Sequence, residues 1–325
     1  MEKPIPRSIC VFYACVSSFL LYIFLCRPFL YPGSILGPGR KEWFFILAVI
    51  HTQAGDEWRN ALKLPNGELT ERVQSDDVER NFWRMRQQNS TAALDAYRLP
   101  VCSALRALIT SYKIRSVMEL GPGWGNYTFF LAEQGIRLTC VDISPDNLDY
   151  LAGELKTRMG VSAKMICAPW ENAQIEPNGN DMVFAYNCFY RMRDIEKCLL
   201  KLNLAATKLC VMGMNRPPEL PWLPAMENDL GLKVRYTRMG CEQFQKVLSQ
   251  LGINAELINI ENKREYHYDS IGALMARAQQ HIRSDFNKDA LKKLLAGYHH
   301  ALPNGSLVCE YHFLSQLLVW EPKAL

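Results

Sequence analysis

The sequence predicts an α/β fold: a doubly wound, mostly parallel sheet of seven strands, with helical additions and an N-terminal hydrophobic segment. Three observations carry this expectation. Short apolar runs alternate with helix-patterned segments between residues 99 and 260, the signature of strands joined by crossover helices. One run, Val117 to Leu120, contains Glu119 and passes into a turn with glycines at 121, 123 and 125. A second run, Leu138 to Val141, ends in another acid, Asp142. Acids and a glycine turn at the carboxyl ends of neighbouring parallel strands form a ligand crevice in such sheets.

The elements follow in order. Asp77 to Tyr97 reads as a polar, Arg-rich helix carrying Phe82, Trp83 and Met85. A second helix, Leu99 to Tyr112, leads into the first strand, Ser116 to Leu120. A helix from Tyr127 to Gln134 stops at Gly135, and a strand from Arg137 to Val141 follows. Ser144-Pro145 supplies an N-cap and a first-turn proline for a helix from Asp146 to Met159. Strands at Ala163 to Cys167 and Asp181 to Tyr186 precede a helix from Arg193 to Ala205. The fifth strand, Lys208 to Met212, runs into a Pro-rich loop through Pro224. Helix Cys241 to Leu251 and strand Asn254 to Ile260 come next, and Phe313 to Trp320 is the seventh strand. Between strands six and seven, Ser270 to Ser284 and Lys288 to Ala301 read as an added helical cap. The expected organisation is therefore a hydrophobic segment and linker over 1–40, a helical cap over 41–112, and a main domain over 113–325 with an insertion at about 268–303.

Bulk properties narrow the function. A chain of 325 residues can bury a sizeable core. Its net charge of +4 comes with no stripe of Lys and Arg, so no nucleic-acid partner is expected. Eleven cysteines include no Cys-x-x-Cys pair, and Cys140, Cys167 and Cys210 fall in apolar runs that read as buried strands. They are expected to be reduced core residues, and no metal site is expected.

From Ser8 to Cys26 the chain carries no charge, long enough for one membrane span of about 17–25 residues. Lys3 and Arg7 precede it; Arg27, Arg40 and Lys41 follow it. Two readings stand: a single-span anchor with the main domain in the cytoplasm, or upstream sequence attached by a wrongly assigned start. The stretch Pro32 to Gly39 would be the linker in the first case.

The motif itself discriminates between cofactors. A dinucleotide loop reads G-x-G-x-x-G, whereas the glycines here fall at Gly121, Gly123 and Gly125, with Asn126 in the third-glycine place. Val117-Met118-Glu119-Leu120-Gly121-Pro122-Gly123-Trp124-Gly125-Asn126, followed by Asp142 at the next strand end, resembles the cofactor motif of class I S-adenosylmethionine-dependent methyltransferases. The resemblance covers about residues 95–262 and implies a Rossmann-like methyltransferase fold whose seventh strand runs antiparallel between the fifth and sixth. It implies S-adenosylmethionine as cofactor. The backbone at Gly121, Gly123 and Gly125 would approach it closely, because no Cβ intrudes. Glu119 would balance its ammonium or sulfonium, Asp142 its ribose hydroxyls, and Ile143 would cover one adenine face. Asp142 also has a plainer reading, as a turn acid or helix N-cap. After the third strand, Glu171 is the candidate for the adenine amino group, and Trp170 either stacks on the base or packs under the loop.

For the acceptor, the loop Asn187-Cys188-Phe189-Tyr190-Arg191 resembles the N-P-P-Y loop of amino-methylating enzymes only at its ends, which argues against base methylation. Asn187 belongs with the cofactor residues, while Tyr190 and Arg191 either orient a substrate or close the loop on the core, and Tyr190 is also a catalytic candidate. Met214 to Trp222 suits a substrate wall, with Arg216 and Trp222 as its candidates. Tyr266 to Asp269 offers polar aromatic groups, and His267 is a candidate general base or an ordinary exposed histidine. The expected activity is methyl transfer to a small molecule, with a protein or lipid at a membrane, or a non-catalytic cofactor-binding role, as alternatives.

Overall fold

The computed structural model describes residues 50–64, 66–88, 97–217, 220–236 and 240–324. The uncharged run Ser8 to Cys26 and the linker after it lie outside the described residues. Among the described residues, no helix is long and apolar enough to cross a membrane.

Among the described residues, three helices come first: α1 (Gln53–Ala61), α2 (Glu71–Gln74) and α3 (Asp76–Gln88). The expected helix 77–97 is thus α3, and its second half lies outside the described residues. The main domain runs α4 (Arg98–Ser111), β1 (Ser116–Leu120), α5 (Thr128–Glu133), β2 (Arg137–Asp142), α6 (Pro145–Met159), β3 (Lys164–Cys167) and β4 (Asn180–Tyr186). It continues with α7 (Ile195–Ala205), β5 (Ala206–Asn215), α8 (Trp222–Asn228), α9 (Cys241–Gln250) and β6 (Glu256–Tyr268). The last elements are α10 (Ile271–Gln279), α11 (Lys288–Leu295), the two-residue β7 (His300–Ala301) and β8 (Leu307–Trp320).

The sheet order is β3-β2-β1-β4-β5-β8-β6, with β7 attached to β8. Pairing is parallel from β3 through β5, and β8 runs antiparallel to both β5 and β6. The seventh expected strand therefore sits between the fifth and sixth as the resemblance implied. Burial follows position. Every residue of central β1 is buried, whereas β3 at the edge is partly exposed, including Cys167. Cys167 is thus not the core residue that its apolar run suggested, because an edge strand is covered on fewer sides than a central one.

Chain order reverses between β1 and β4. That topological switch point opens a crevice at the carboxyl ends of the strands. α4, α5 and α6 cover the sheet with Val101, Leu105, Leu131, Leu151 and Leu155, all fully buried. Each such side chain contributes about 1.5–3 kcal/mol relative to exposure. α6 begins where expected: the Ser144 hydroxyl accepts the Asn147 amide at 3.3 Å, and Gly160 ends the helix in a left-handed conformation at φ 65°.

The far side differs from expectation. β6 does not stop at Ile260 but runs to Tyr268, paired with β8 down to Leu307. The expected loop through Pro224 contains α8. α8, α10 and α11 pack on the distal part of this ribbon around Trp222, Leu223, Met226, Leu274, Leu291 and Tyr311, forming a second core. The two helices of the addition, α10 and α11, pack on the extended ribbon formed by β6 and β8.

Candidate active site

A cavity of about 740 Å³ lies at the carboxyl ends of β1, β2 and β4. Glu119, Gly121, Gly123, Asp142 and Asn187 all line it, so the glycine turn and the two strand-end acids share one hollow. Its roof comes from the N-terminal helices, through Asp76, Glu79 and Trp83.

The three glycines do different work. All three have positive φ, at 59°, 55° and 88° for Gly121, Gly123 and Gly125. A Cβ at Gly121 would lie 2.5 Å from the Cys188 Cβ, so this glycine lets the β1 and β4 loops touch. A Cβ at Gly123 would meet nothing within 4 Å, and its amide points at Asp142 Oδ2 at 3.4 Å. Gly125 does not line the cavity. A Cβ there would sit 2.5 Å from Phe129 and 2.8 Å from Leu151, so Gly125 packs helix against sheet. That corrects the expectation that all three glycines approach the ligand. One glycine of this loop has the packing role that a dinucleotide loop gives to its third.

Glu119 is 2% exposed, and its Oε2 has no hydrogen-bond partner. Burial, with the neighbouring Asp142 adding to it, pushes its carboxyl up to about 8. Asp142 is raised to about 6, again chiefly by burial, although the Ser144 amide at 2.8 Å holds the shift down. Asp142 takes the plainer expected role of a turn acid: Oδ1 accepts the Ser144 amide at the entry to α6, and Oδ2 faces the Gly123 amide. Two acids whose charge is this poorly solvated are matched to a bound cation and to hydrogen-bond donors.

The loop after β3 lines the adjoining wall with Ala168, Pro169 and Glu171. Trp170 is 3% exposed and donates its Nε1 to the Cys198 carbonyl at 3.1 Å, so it packs under the loop. Ile143 lines the cavity, and its carbonyl accepts from Arg80 Nε of the roof helix α3 at 2.8 Å.

The loop after β4 meets the roof. Asn187 has φ 54°, and its Oδ1 accepts the Asn215 amide at 2.9 Å, tying β4 to the end of β5. Tyr190 lines the cavity and donates its hydroxyl to Glu79 Oε1. Glu79 is 1% exposed and also receives Arg72 Nε at 2.7 Å and Trp83 Nε1 at 2.7 Å. Arg72 and the hydrogen bonds from Tyr190 and Trp83 hold the Glu79 carboxyl below its ordinary value against the effect of burial. Burial and the Glu79 charge push the Tyr190 phenol well up, so it remains a donor. Arg191 pairs with Asp76 at 2.7 Å and donates Nε to the Arg72 carbonyl at 3.0 Å.

Residues 117–205 match the family model described as a methyltransferase domain. This stretch is a methyltransferase domain. Its cofactor is S-adenosylmethionine, and the enzyme class is S-adenosylmethionine-dependent methyltransferase. No curated protein is similar enough to count as a relative. Among solved structures, the chain is similar to the YcgJ protein from Bacillus subtilis at 12% identity, over 69% of this chain and 99% of that one, with a TM-score of 0.44. It is similar also to phosphoethanolamine N-methyltransferase 2 of Haemonchus contortus, at 16% identity over 80% and 62% of the two chains and a TM-score of 0.44. Magnesium protoporphyrin IX methyltransferase of Synechocystis gives 10% identity, 75% and 98% coverage, and a TM-score of 0.41.

The residues of the methyltransferase cavity fit that cofactor. The unpartnered Glu119 oxygen offers a buried carboxyl that a bound cation would favour in its ionised form, and the open space at Gly123 admits a ligand against bare backbone.

Three expected residues lie elsewhere. His267 is exposed on β6, opposite Val308, because the strand continues through the segment expected to be a loop. Trp222 is fully buried in the second core, with Nε1 on the Tyr311 hydroxyl at 3.3 Å. Arg216 lies 3.7 Å from Glu242 and is not a lining residue. Conversely, sequence reasoning missed Glu79 and Arg72 as site residues. The nearest signal was the aromatic, Arg-rich pattern around Trp83. Among the described residues, no group of three or more His, Cys, Asp or Glu side chains is arranged to hold a metal ion.

Proposed function

We propose that this methyltransferase acts on a small-molecule acceptor held between Tyr190 and the α3 roof. The observation that carries this reading is the closure of one cavity by Glu79, Trp83 and Tyr190 over the buried pair Glu119 and Asp142. When bound, S-adenosylmethionine supplies an electrophilic methyl group on a sulfonium. Glu119 would face the amino-acid end of the cofactor, Asp142 the ribose, and Ile143 and Glu171 the adenine side. The roof excludes water, and Tyr190, its proton committed to Glu79, orients an acceptor through its phenol oxygen. Orientation of this kind supplies much of the acceleration in a displacement that asks little of acid–base chemistry. The acceptor atom is a matter for experiment.

Two measurements test the reading. Incubation with isotopically labelled S-adenosylmethionine and a metabolite extract, followed by mass analysis, should yield a labelled small molecule. Asp142→Ala should abolish cofactor binding by calorimetry; unchanged affinity would overturn the assignment of Asp142. The uncharged run Ser8 to Cys26 favours a second reading, a membrane-held enzyme acting on a lipid or protein from the cytoplasmic side. Label recovered in the lipid or protein fraction, together with sedimentation of the full chain with membranes, would select it. Cofactor binding with label in no fraction would select a non-catalytic role.

A further inference from the structure

Beneath the cavity wall lies a buried cation that the methyl-transfer reading does not use. Lys201, on α7, is 7% exposed. Its Nζ donates to the Trp170 carbonyl at 2.5 Å, to Ala173 at 2.6 Å and to Glu171 at 3.3 Å. An ammonium has three donors, and all three go to one turn of backbone. Nζ also lies 4.5 Å from the centre of the Trp170 ring, a cation–π distance. One helical turn earlier, the Cys198 carbonyl accepts the Trp170 Nε1. α7 therefore grips the loop twice, through positions 198 and 201 on one face. The opposite side of that loop is cavity wall: Ala168, Pro169, Trp170, Glu171 and Asn172 all line it.

We propose that Lys201 is a positioning residue for the adenine side of the cofactor: its ammonium gathers three carbonyls of residues 170–173 and so sets the wall that Glu171 presents. This rests on the cofactor reading above. A structural cation whose only task was stability would be an expensive choice, since an apolar side chain fills a core without desolvating a charge. The ammonium fixes something an apolar residue would not, namely which way the peptide groups of the loop face. Without it, the Glu171 and Ala173 carbonyls lose their donor and the Trp170 carbonyl keeps only the Ala173 amide at 3.3 Å. The turn would then have to rotate them towards the cavity or towards water to satisfy them.

Titration gives the same device a pH dependence. Burial, with the nearby Lys197, lowers Lys201 to about 8, while Cys198 and Glu171 oppose the shift. The neutral amine has two donors and cannot hold three carbonyls. Adenine-side affinity should therefore be full below pH 8 and decline as pH rises through it. Across the cavity, Glu119 (about 8) and Asp142 (about 6) also titrate, so the wild-type profile must be set against a variant.

The experiment measures affinity for S-adenosylhomocysteine and for 5′-methylthioadenosine, which lacks the amino-acid end, by calorimetry on the full chain. Lys201→Met is expected to weaken both ligands at least tenfold at pH 7, and to lose the decline in 5′-methylthioadenosine affinity between pH 7 and 9. A purely structural lysine would lower the unfolding temperature while leaving affinity in the folded protein unchanged; that result overturns the proposal. If Lys201→Met does not fold, Lys201→Arg, which keeps its charge across this range, takes its place: a tenfold or greater loss of 5′-methylthioadenosine affinity between pH 7 and 9.5 in the wild type that is absent in Lys201→Arg supports the role, and the same profile in both proteins overturns it. A decline that persists in Lys201→Met assigns the titration to Glu119 and overturns the pH device. Wild-type protein that binds neither ligand overturns the cofactor reading and this one with it.

Discussion

Tyr190 donates its hydroxyl to Glu79, a residue 111 positions earlier in the chain. The bond joins the loop after β4 to the roof helix α3, and Arg72 and Trp83 complete the carboxylate's partners. A cavity floor built by the sheet thus acquires its cover from a segment that precedes the sheet. The following expectations test this arrangement.

Glu79→Ala should lower the free energy of unfolding by about 2–3 kcal/mol at pH 7, since charged hydrogen bonds are lost and Arg72 and Tyr190 are stranded. The Glu79 carboxyl is held below its ordinary value, so the contribution is present above the usual carboxyl range and disappears as pH falls through the folded-state value. Urea unfolding at pH 7 and pH 3 measures both. A penalty under about 0.5 kcal/mol at pH 7 would contradict the structural account.

Glu119→Gln should stabilise the ligand-free protein increasingly as pH rises from 5 to 9. The buried carboxyl titrates near 8, so the folded state keeps a proton that the unfolded chain has released above its ordinary value. Stability of the wild type therefore falls across that window, on the order of 3–5 kcal/mol in the limit of a fully buried group. The same variant should bind S-adenosylmethionine more weakly. Unfolding curves for both proteins at three pH values give the result, and a pH-independent difference would refute it.

The glycines should separate. Gly125→Ala forces a Cβ against Phe129 and Leu151 at a positive φ and should cost about 2–4 kcal/mol of stability, with cofactor affinity of the folded protein little changed. Gly123→Ala meets no neighbour, should cost about 1–2 kcal/mol for its φ alone, and should weaken cofactor binding at least tenfold. Thermal unfolding paired with calorimetry distinguishes the two, and the reverse pattern would exchange their roles.

Trp222→Ala should destabilise by about 3–5 kcal/mol, as expected for a large side chain removed from a closed core, and leave cofactor affinity unchanged. An affinity loss without destabilisation would restore Trp222 as a wall of the site.

The sheet and the cofactor side of the cavity were readable along the chain, because each depends on local pattern. Apolar runs of strand length, a glycine turn that needs positive φ at 121, 123 and 125, and acids placed within or at the end of strands are all properties of neighbouring residues. Once the topology is set, Glu119 and Asp142 can only meet at the switch point. The Ser144-Pro145 start of α6 was readable for the same reason.

Tertiary packing alone decided the rest. Asp76 and Glu79 reach the site because α3 crosses to the β4 loop; nothing near them in sequence records a partner more than a hundred residues away. His267 read as a candidate general base or an exposed histidine, and Trp222 as part of a substrate wall. A strand that ran on to Tyr268 left the first in solvent, and a second core closed over the other. Lys201 reads as an ordinary helical lysine until the loop after β3 folds back onto it with three carbonyls. Local pattern sets the backbone's course, whereas long-range contact sets what each side chain finally faces.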